Sequence, residues 1–402
     1  MVAMGLSGEA ALIGFHELPA QRKPTGPPMF SIEQYARIAA GALADAGISA
    51  AEIDGVITPG LREASAFVPS TVIEYLGIPA NFAETVDLGG ANAAAMVWRA
   101  AAAIEMGICS AVLCVTPGGT LVPSSARKPA APNGGWGASS NSYGSPQAEF
   151  DIPYGNLGQN GPYGQIARLY GDRYGYDPRA MAKISVDQRV NACATPGAAF
   201  HGQPITVEDV LASPMIADPL HMLEIVMPVS GGGGVIVASA EVARRARNRP
   251  VWIKGFGERV AYKTPTYAED LLTSPMAHAA ASAFAMAGAA HAEMDMASIY
   301  DCYTITVLMT LEDAGFIERG KGMDFVSSHD LTFRGDFPLN TAGGQLGYGQ
   351  PGGAGGMHHV ADAVRQIQGR AGEAQIPDCN RAFVSGNGGI MSEQIALILQ
   401  GD

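Results

Sequence analysis

The chain is short of charge. Only 16% of its 402 residues are Asp, Glu, Lys or Arg, and 38 acids against 25 bases leave a formal charge of −13. Binding a phosphate backbone needs clustered Lys and Arg, so nucleic acid is excluded as a partner. An anionic small molecule needs only a local basic patch and is not excluded. Cysteine is scarce as well. The five, at positions 109, 114, 193, 302 and 379, form no CxxC pair and no His–Cys spacing of a zinc site, so no metal is expected. An odd number of scattered thiols, behind a start that lacks a basic leader, fits a reducing cytoplasm. Long hydrophobic runs are missing too. The alanine-rich stretch Ala80–Ala103 is broken by Glu84, Asp87 and Arg99, so no membrane span is expected.

What is present is core-forming material. The chain is 47% hydrophobic, enough for two or three ordinary domains or one large duplicated α/β body. "AALIGF" (10–15) reads as a strand, and "SIEQYARIAAGALADAGIS" as an amphipathic helix opened by Ser31 and stopped by Gly47. "IDGVITPG" and "AVLCVTPG" read as buried strands. Between them, "ANAAAMVWRAAAAIEMGIC" is a helix so poor in large side chains that it belongs at the centre of the body, packed on all sides. The alternation predicts a largely parallel sheet with helices on its faces.

From 121 to 162 the pattern dissolves into Gly, Ser, Asn, Pro and Tyr. Trp136, Tyr143, Phe150, Tyr154 and the following Tyr163 predict an ordered loop beside a site. After two further helical segments and the strand–helix unit "GGGGVIVASAEVARRA", the scheme repeats. The expected halves are 1–248, including the loop, and 249–402, joined near Arg245 to Val251. The run of four glycines (231–234) lacks the GxxxxGK or GxGxxG context of a phosphate loop.

The segment Ile299–Leu308, "IYDCYTITVL", sets Tyr300 and Tyr303 around Cys302 just before a helical run. Read alone, Tyr300 is a core tyrosine at a strand end, Tyr303 a packing residue one turn on, and Cys302 a buried thiol. Tyr348, flanked by glycines in "LGYGQPGG", does not read as part of a continuous core. His358 and His359 open a helix and lack the further ligands of a metal site. His221, in "DPLHML", reads as a core or interface histidine.

Four ordered blocks give the chain a family resemblance. They are "ITVEDVLASPMIADPLHMLE" with "VSGGGGVIVASAEVA", "IYDCYTITVLMTLEDAGF", "NTAGGQLGYGQPGGAGGMHHVADAVRQIQG" and "SGNGGIMSEQIALIL". Together they resemble the thiolase superfamily, in its branch of sterol-carrier-protein-like thiolases and lipid-transfer proteins. The resemblance implies a thiolase-like α/β fold, duplicated and five-layered (αβαβα). It also implies a homodimer built through the central sheets, with "AVLCV" resembling the family's interface region. The thiolase catalysts, however, are gone. The nucleophile's place falls at about Gly89 in "DLGGANAAAM", and no cysteine lies between Asn81 and Ile108. Tyr300 stands for the His of the "HDCF" block, Gln350 for that of "GHP", and the C-terminal cysteine's place is near Ser385. Without a thiolate no acyl-enzyme can form.

The remaining pattern resembles the thiolase-like aldolases that shorten steroid side chains. That resemblance implies retro-aldol cleavage of a branched β-hydroxyacyl-CoA to a ketone or aldehyde and a shorter acyl-CoA. It implies no cofactor beyond the coenzyme A of the substrate. It also implies a separate DUF35-type, OB-fold protein as partner in a heterotetramer. Tyr300 and Tyr348 are the implied catalysts, and Asn340, Gly344, Gln350 and Gly89 the implied substrate-binding residues. The chemistry is consistent with this. A base must take the β-hydroxyl proton, and fixed donors must hold the thioester oxygen as it becomes an enolate. A tyrosine is a base only if its neighbours lower a pKa of about 10; otherwise it passes or donates a proton. Condensation without a cysteine and a non-catalytic acyl-CoA- or lipid-binding role are the alternatives.

Overall fold

The computed structural model describes residues 5–24, 27, 29–61, 63–64, 66–118, 142–263 and 265–402. The first unit runs β1 (Ala10–Gln21), α1 (Ser31–Ala46), β2 (Gly55–Thr58), α2 (Val68–Leu76), β3 (Phe82–Thr85), α3 (Asn92–Glu105) and β4 (Ala111–Pro117). Helix α1 stops where expected: Gly47 turns left-handed (φ 72°) and its N–H closes on the Leu43 carbonyl. Three helices follow, α4 (Asn160–Tyr174), α5 (Pro178–Cys193) and α6 (Val207–Ala212). The short hairpin β5 (Met215–Ala217) and β6 (Leu220–His221) comes next, and then β7 (Ser230–Ser239) and α7 (Ala240–Arg245). The second unit is β8 (Val251–Val260), α8 (Met276–Ala287), β9 (Met296–Ser298), α9 (Thr304–Asp313), α10 (Gly322–Ser328), α11 (Gly344–Gly347), α12 (Gly355–Ile367), β10 (Arg381–Gly388) and β11 (Glu393–Gln400).

Nine strands form one sheet in the order β3-β2-β4-β7-β1-β8-β11-β10-β9. Within the sheet, among the described residues, the two halves pair where Ala11 and Leu12 meet Trp252 and Val251. The sheet is mixed, which corrects the expectation of a largely parallel one. β2 runs parallel to β3 and β4, and β9 to β10, but β7 returns antiparallel between β4 and β1. The β10–β11 hairpin is antiparallel as well. A second correction concerns "AVLCV". It lies in β4, enclosed between β2 and β7, and the open edge of this half is β3.

The layers follow from where apolar faces meet. One core joins α1 and α7 to the outer face of the first half-sheet. A second places α3 and α12 between the two half-sheets, against strands of both. A third covers the outer face of the second half-sheet with α8 and α9. The result is the αβαβα order. Helices α4 and α5 lie earlier in the chain than β7, yet Tyr163, Ile166, Tyr170, Met181 and Ile184 pack into the third core with Ile299 and Leu308.

Small residues make the central layer possible. In α3, Ala93, Ala94, Ala95, Ala100 and Ala101 are buried, so strands approach from both sides. Glycines do the same for the sheet. A Cβ on Gly257 would come within 1.9 Å of the Ala279 carbonyl oxygen of α8. The glycines of "GGGG" lie inside β7, where a Cβ on Gly234 would strike Ile38 of α1 at 2.7 Å. They are packing glycines. Among the described residues, no helix is long and apolar enough to cross a membrane.

Candidate active site

The segment 299–303 links β9 to α9 and is held on every side. The Asn340 side chain takes both ends of Ile299, accepting from its N–H (2.7 Å) and donating to its carbonyl (2.9 Å). Ser385 Oγ, at the place of the C-terminal cysteine, accepts the Tyr300 N–H at 3.0 Å. Asp301, fully buried, accepts the amides of Gln345 (2.7 Å) and Leu346 (3.0 Å) at the start of α11. The backbone of Tyr300 is thereby fixed before its side chain does anything.

That side chain reaches the start of the central helix. Gly89–Ala91 form a 3₁₀ turn leading into α3. A Cβ built on Gly90 would lie 2.1 Å from Tyr300 Oη and 2.5 Å from the Asn387 carbonyl oxygen. The phenol occupies the space that a side chain there would need. Gly89, the position expected for the missing nucleophile, opens in another direction, toward Gly388 and Gly389, with Glu393 Oε2 3.9 Å from its Cβ position. Gly89 opens the turn into α3, where it was expected, and its neighbour Gly90 is the residue against Tyr300.

Tyr300 Oη accepts from Gln350 Nε2 at 3.1 Å. Burial raises the pKa of Tyr300 well above 10, with Cys302 and Asp301 adding to the rise and the Gln350 and Gln345 amides opposing it. The neutral phenol is the resident form. Gln350 Oε1 is buried without a partner.

Two of the expected substrate-binding residues are occupied internally. Both polar atoms of the Asn340 side chain are spent on Ile299, and its backbone is left-handed (φ 50°), a conformation asparagine tolerates. Gly344 lies under Asp301, whose Oδ2 would be 2.3 Å from a Cβ at that position. The two amides that follow Gly344 close on Asp301. Asn340 and Gly344 therefore build the Tyr300 segment.

Tyr303 is packing, as its spacing suggested. Its ring stacks on Tyr163 with centroids 4.1 Å apart, and its hydroxyl donates to Asn160 Oδ1 at 2.7 Å. Asn387 Nδ2 donates to the Tyr163 hydroxyl (3.1 Å) and faces Cys302 Sγ (3.6 Å). Burial pushes the Cys302 thiol up to about 12, which makes it an inert thiol. The predicted loop meets the site here. Positions 121–141, Trp136 among them, lie outside the described residues. Gln147, Asp151, Asn156 and Pro162 border Lys263 and Ile390 beside the β10–β11 turn, whereas Tyr143 and Tyr154 are exposed.

Tyr348 stands elsewhere. Its ring lies flat on His358 (centroids 3.7 Å) at the wall of a cleft of about 620 Å³, lined also by Phe15, Glu17, Gly197, Arg247, Arg365 and Arg370. Tyr300 is not among its lining residues, so the two hydroxyls do not share this cleft as expected. Burial raises the Tyr348 pKa above its ordinary value, and Glu17 reinforces the rise. Below it, Glu17 is buried between His358 (Nδ1 2.9 Å from Oε1) and Arg365. Burial alone would raise the Glu17 carboxyl, but His358 and Arg365 beside it hold it down at about 2.

Sequence reasoning missed three further residues. Glu393 is half-buried beside Gly89 and Gly388, and its carboxylate makes no hydrogen bond among the described residues. Burial raises its pKa, Lys263 opposes that, and Asp87 and Glu258 add to it. Its signal was its place at the head of the last strand. Gln345 and His359 lie under Tyr300, and only their nearness to the glycine turn marked them. Among the described residues no cluster of His, Cys, Asp or Glu is arranged to hold a metal ion.

Comparison with known proteins matches residues 257–401 to the thiolase C-terminal domain-like family. The chain is 30% identical over 365 residues to a steroid side-chain-cleaving aldolase of Thermomonospora curvata, covering 89% of this chain and 90% of that one. It is 30% identical over 370 residues to the 17-hydroxy-3-oxo-4-pregnene-20-carboxyl-CoA lyase of Mycobacterium tuberculosis, covering 90% and 92%. Among solved structures, one described as an Ltp2-ChsH2(DUF35) aldolase superimposes with a TM-score of 0.85 at 28% identity, covering 99% of each chain. Human mitochondrial 3-ketoacyl-CoA thiolase, at 17% identity and a TM-score of 0.68, shares the fold.

Proposed function

The chain belongs to the thiolase-like aldolases that cleave steroid side chains, and on that premise we propose how it breaks the carbon–carbon bond. It is a lyase that performs retro-aldol cleavage of a branched β-hydroxyacyl-CoA, the steroid side-chain thioesters named for its relatives being the substrate class. A base takes the proton of the β-hydroxyl, and the oxygen's electrons form the carbonyl of the departing ketone or aldehyde. The Cα–Cβ bond breaks, and its electron pair delocalises onto the thioester oxygen as an enolate. Protonation at Cα then yields the shorter acyl-CoA.

The observation that carries this reading is the Tyr300 hydroxyl standing against Gly90 at the start of the central helix. The space for a nucleophile's side chain is filled by a neutral phenol, which closes the acyl-enzyme route. The same phenol serves the aldolase route. Its oxygen already accepts from Gln350, so its own O–H is free to donate to the enolate oxygen, with the amides at the start of α3 favouring the same charge. Tyr300 thus acts as donor, not as base. Glu393, at the other side of the Gly89 turn, is the group we assign to remove the β-hydroxyl proton. Its raised pKa suits a carboxylate that must accept a proton.

Tyr348 is the second proposed catalytic tyrosine. Its separation from Tyr300 by the Gln350 turn limits it to the far end of a long substrate, where the arginines of its cleft match an anionic group. A homodimer is proposed at the open edge β3, next to which Phe67 and Tyr75 are exposed. A separate DUF35-type, OB-fold protein is proposed as partner, by likeness to the aldolase structure of that description. A cytoplasmic location is proposed from the cysteine usage. The test of the function is incubation with a CoA thioester of a tertiary β-hydroxy acid, with and without the DUF35 partner. Free ketone and the shorter acyl-CoA are expected in equal amounts. No product from steroid, isoprenoid or aromatic substrates would return the chain to a binding role.

A further inference from the structure

Beneath Tyr300 the hydrogen bonds do not balance in one of two orientations of a single amide. His359 is fully buried on α12. Its Nδ1 faces Ser298 Oγ at 3.1 Å, and its Nε2 faces both Asp301 Oδ1 (3.1 Å) and Gln345 Nε2 (3.2 Å). Both Asp301 oxygens accept main-chain amides, so the carboxylate acts only as an acceptor. An unprotonated Nε2 would then set a lone pair against a carboxylate oxygen with both groups fully buried, the arrangement buried polar groups avoid. Nε2 therefore carries a proton, whether His359 is neutral, with Nδ1 accepting from Ser298, or charged. A protonated Nε2 cannot accept from an NH₂ group. Gln345 must present its oxygen to His359 and its NH₂ the other way.

That half-turn of the amide also removes an anomaly. With its nitrogen toward His359, Gln345 Oε1 is buried with no partner. The far end of the Gln345 side chain lies where a Cβ on Gly355 would be, 2.1 Å from it. Gln350 Cγ is 3.0 Å from the same point. It is thus next to the residue that already donates to Tyr300, and the Gln345 amide is among the groups that oppose the rise in the Tyr300 pKa.

We propose that Gln345, oriented by the Ser298–His359–Asp301 group, is a positioning residue that donates its NH₂ to Tyr300 Oη. Two amide donors, from Gln345 and Gln350, then fill the acceptor positions of the phenol oxygen. Its single O–H is left with one direction, toward the start of α3. Gly355 is required because any side chain there would displace the Gln345 amide. The inference rests on the reading of Tyr300 as the donor to the enolate oxygen.

The experiment is a double-mutant cycle between Gln345 and Tyr300, read as kcat and KM on a cleavable β-hydroxyacyl-CoA, with each fold checked by melting. Gln345→Met keeps the volume and removes the donor. Gln345→Glu keeps the acceptor toward His359 and removes the NH₂. Both should lower kcat about 10-fold with KM nearly unchanged, less than the roughly 10²–10³-fold of a donor in direct contact with the oxyanion. In the Y300F background neither should lower kcat further. Equal losses in the Tyr300 and Y300F backgrounds would overturn the positioning role while leaving Tyr300 in place. A Gln345→Glu variant with normal kcat would overturn it too, since packing alone would then suffice. Full activity of Y300F itself would instead defeat the underlying reading of Tyr300.

Discussion

Asn340 holds Ile299 at both ends of one residue, its side-chain oxygen on the N–H and its nitrogen on the carbonyl. Thr306 Oγ1 ties the other end of the segment, at the Tyr300 and Tyr303 carbonyls. Replacing Asn340 by Ala removes both and puts a Cβ-only residue in a left-handed backbone. The expected cost is about 3 kcal/mol, from two lost bonds and two stranded buried main-chain groups. Urea unfolding measures it. A fall in kcat with little change in KM should accompany it, because Tyr300 loses its support. Normal stability would show that the segment is held by its other contacts.

Tyr300→Phe removes one hydroxyl and leaves the ring in its packing. The Gln350 amide loses its acceptor, a stability change of about 1 kcal/mol. The rate should fall roughly 10²–10⁴-fold, the range for a lost proton-handling group. Tyr303→Phe breaks only the bond to Asn160, so it should cost about as much stability and little rate. Similar kcat values for the two variants would remove Tyr300 from the chemistry.

Glu393→Gln tests the base. A carboxylate with a raised pKa must be ionised to accept a proton, so wild-type kcat/KM should fall as pH drops, with a midpoint above 4.5. The variant should be slow at every pH and lose that acidic limb. A variant that keeps both its rate and the limb would assign the limb to another group.

Gly90→Ala should be inactive although it adds only a methyl group, because that methyl would sit within 2.1 Å of the Tyr300 oxygen. Gly90→Cys should behave the same way and restore no thiolysis. Gly257→Ala carries the same argument to stability alone. With the Ala279 carbonyl 1.9 Å from the new Cβ, strand and helix must separate, at a cost of about 3 kcal/mol or more. Activity per folded molecule should survive the second change and not the first.

The Glu17 carboxyl makes stability depend on acid. Its folded pKa of about 2 lies below the ordinary 4.5, so its stabilisation is complete above pH 4.5. It is lost as pH falls toward 2, and corresponds to roughly 3 kcal/mol. The stability difference between wild type and Glu17→Gln should therefore be largest at neutral pH and shrink on acidification through that window. A difference that does not change with pH would mean Glu17 contributes through packing and not through charge.

Much of the architecture was legible because periodicity reports burial. The alanine helix, the apolar strands and the stop at Gly47 all follow from it. Strand direction was not legible, since an antiparallel β7 and a parallel one bury the same faces. The position of Tyr300 could be read from its block. Its partner could not, because Gly89 and Gly90 are identical in sequence and differ only in which way a Cβ would point. Asn340 and Gly344 were expected at the substrate from the family resemblance. Their partners, Ile299 and Asp301, are some forty residues away, and no local pattern records them. That Tyr348 lines a different cleft from Tyr300 was illegible for a similar reason. A tyrosine between glycines says that space is available, but not on which side of the turn.

Glu17 also has a place in time. Its two partners, His358 and Arg365, are 341 and 348 residues further along the chain. At about 5–20 residues per second of synthesis, the first strand is made on the order of tens of seconds before either exists. Until then a carboxylate destined for the interior has nothing to pair with and must stay in water. The strand that carries Glu17 therefore cannot settle into its final place beside α12 until the residues of that helix have been made.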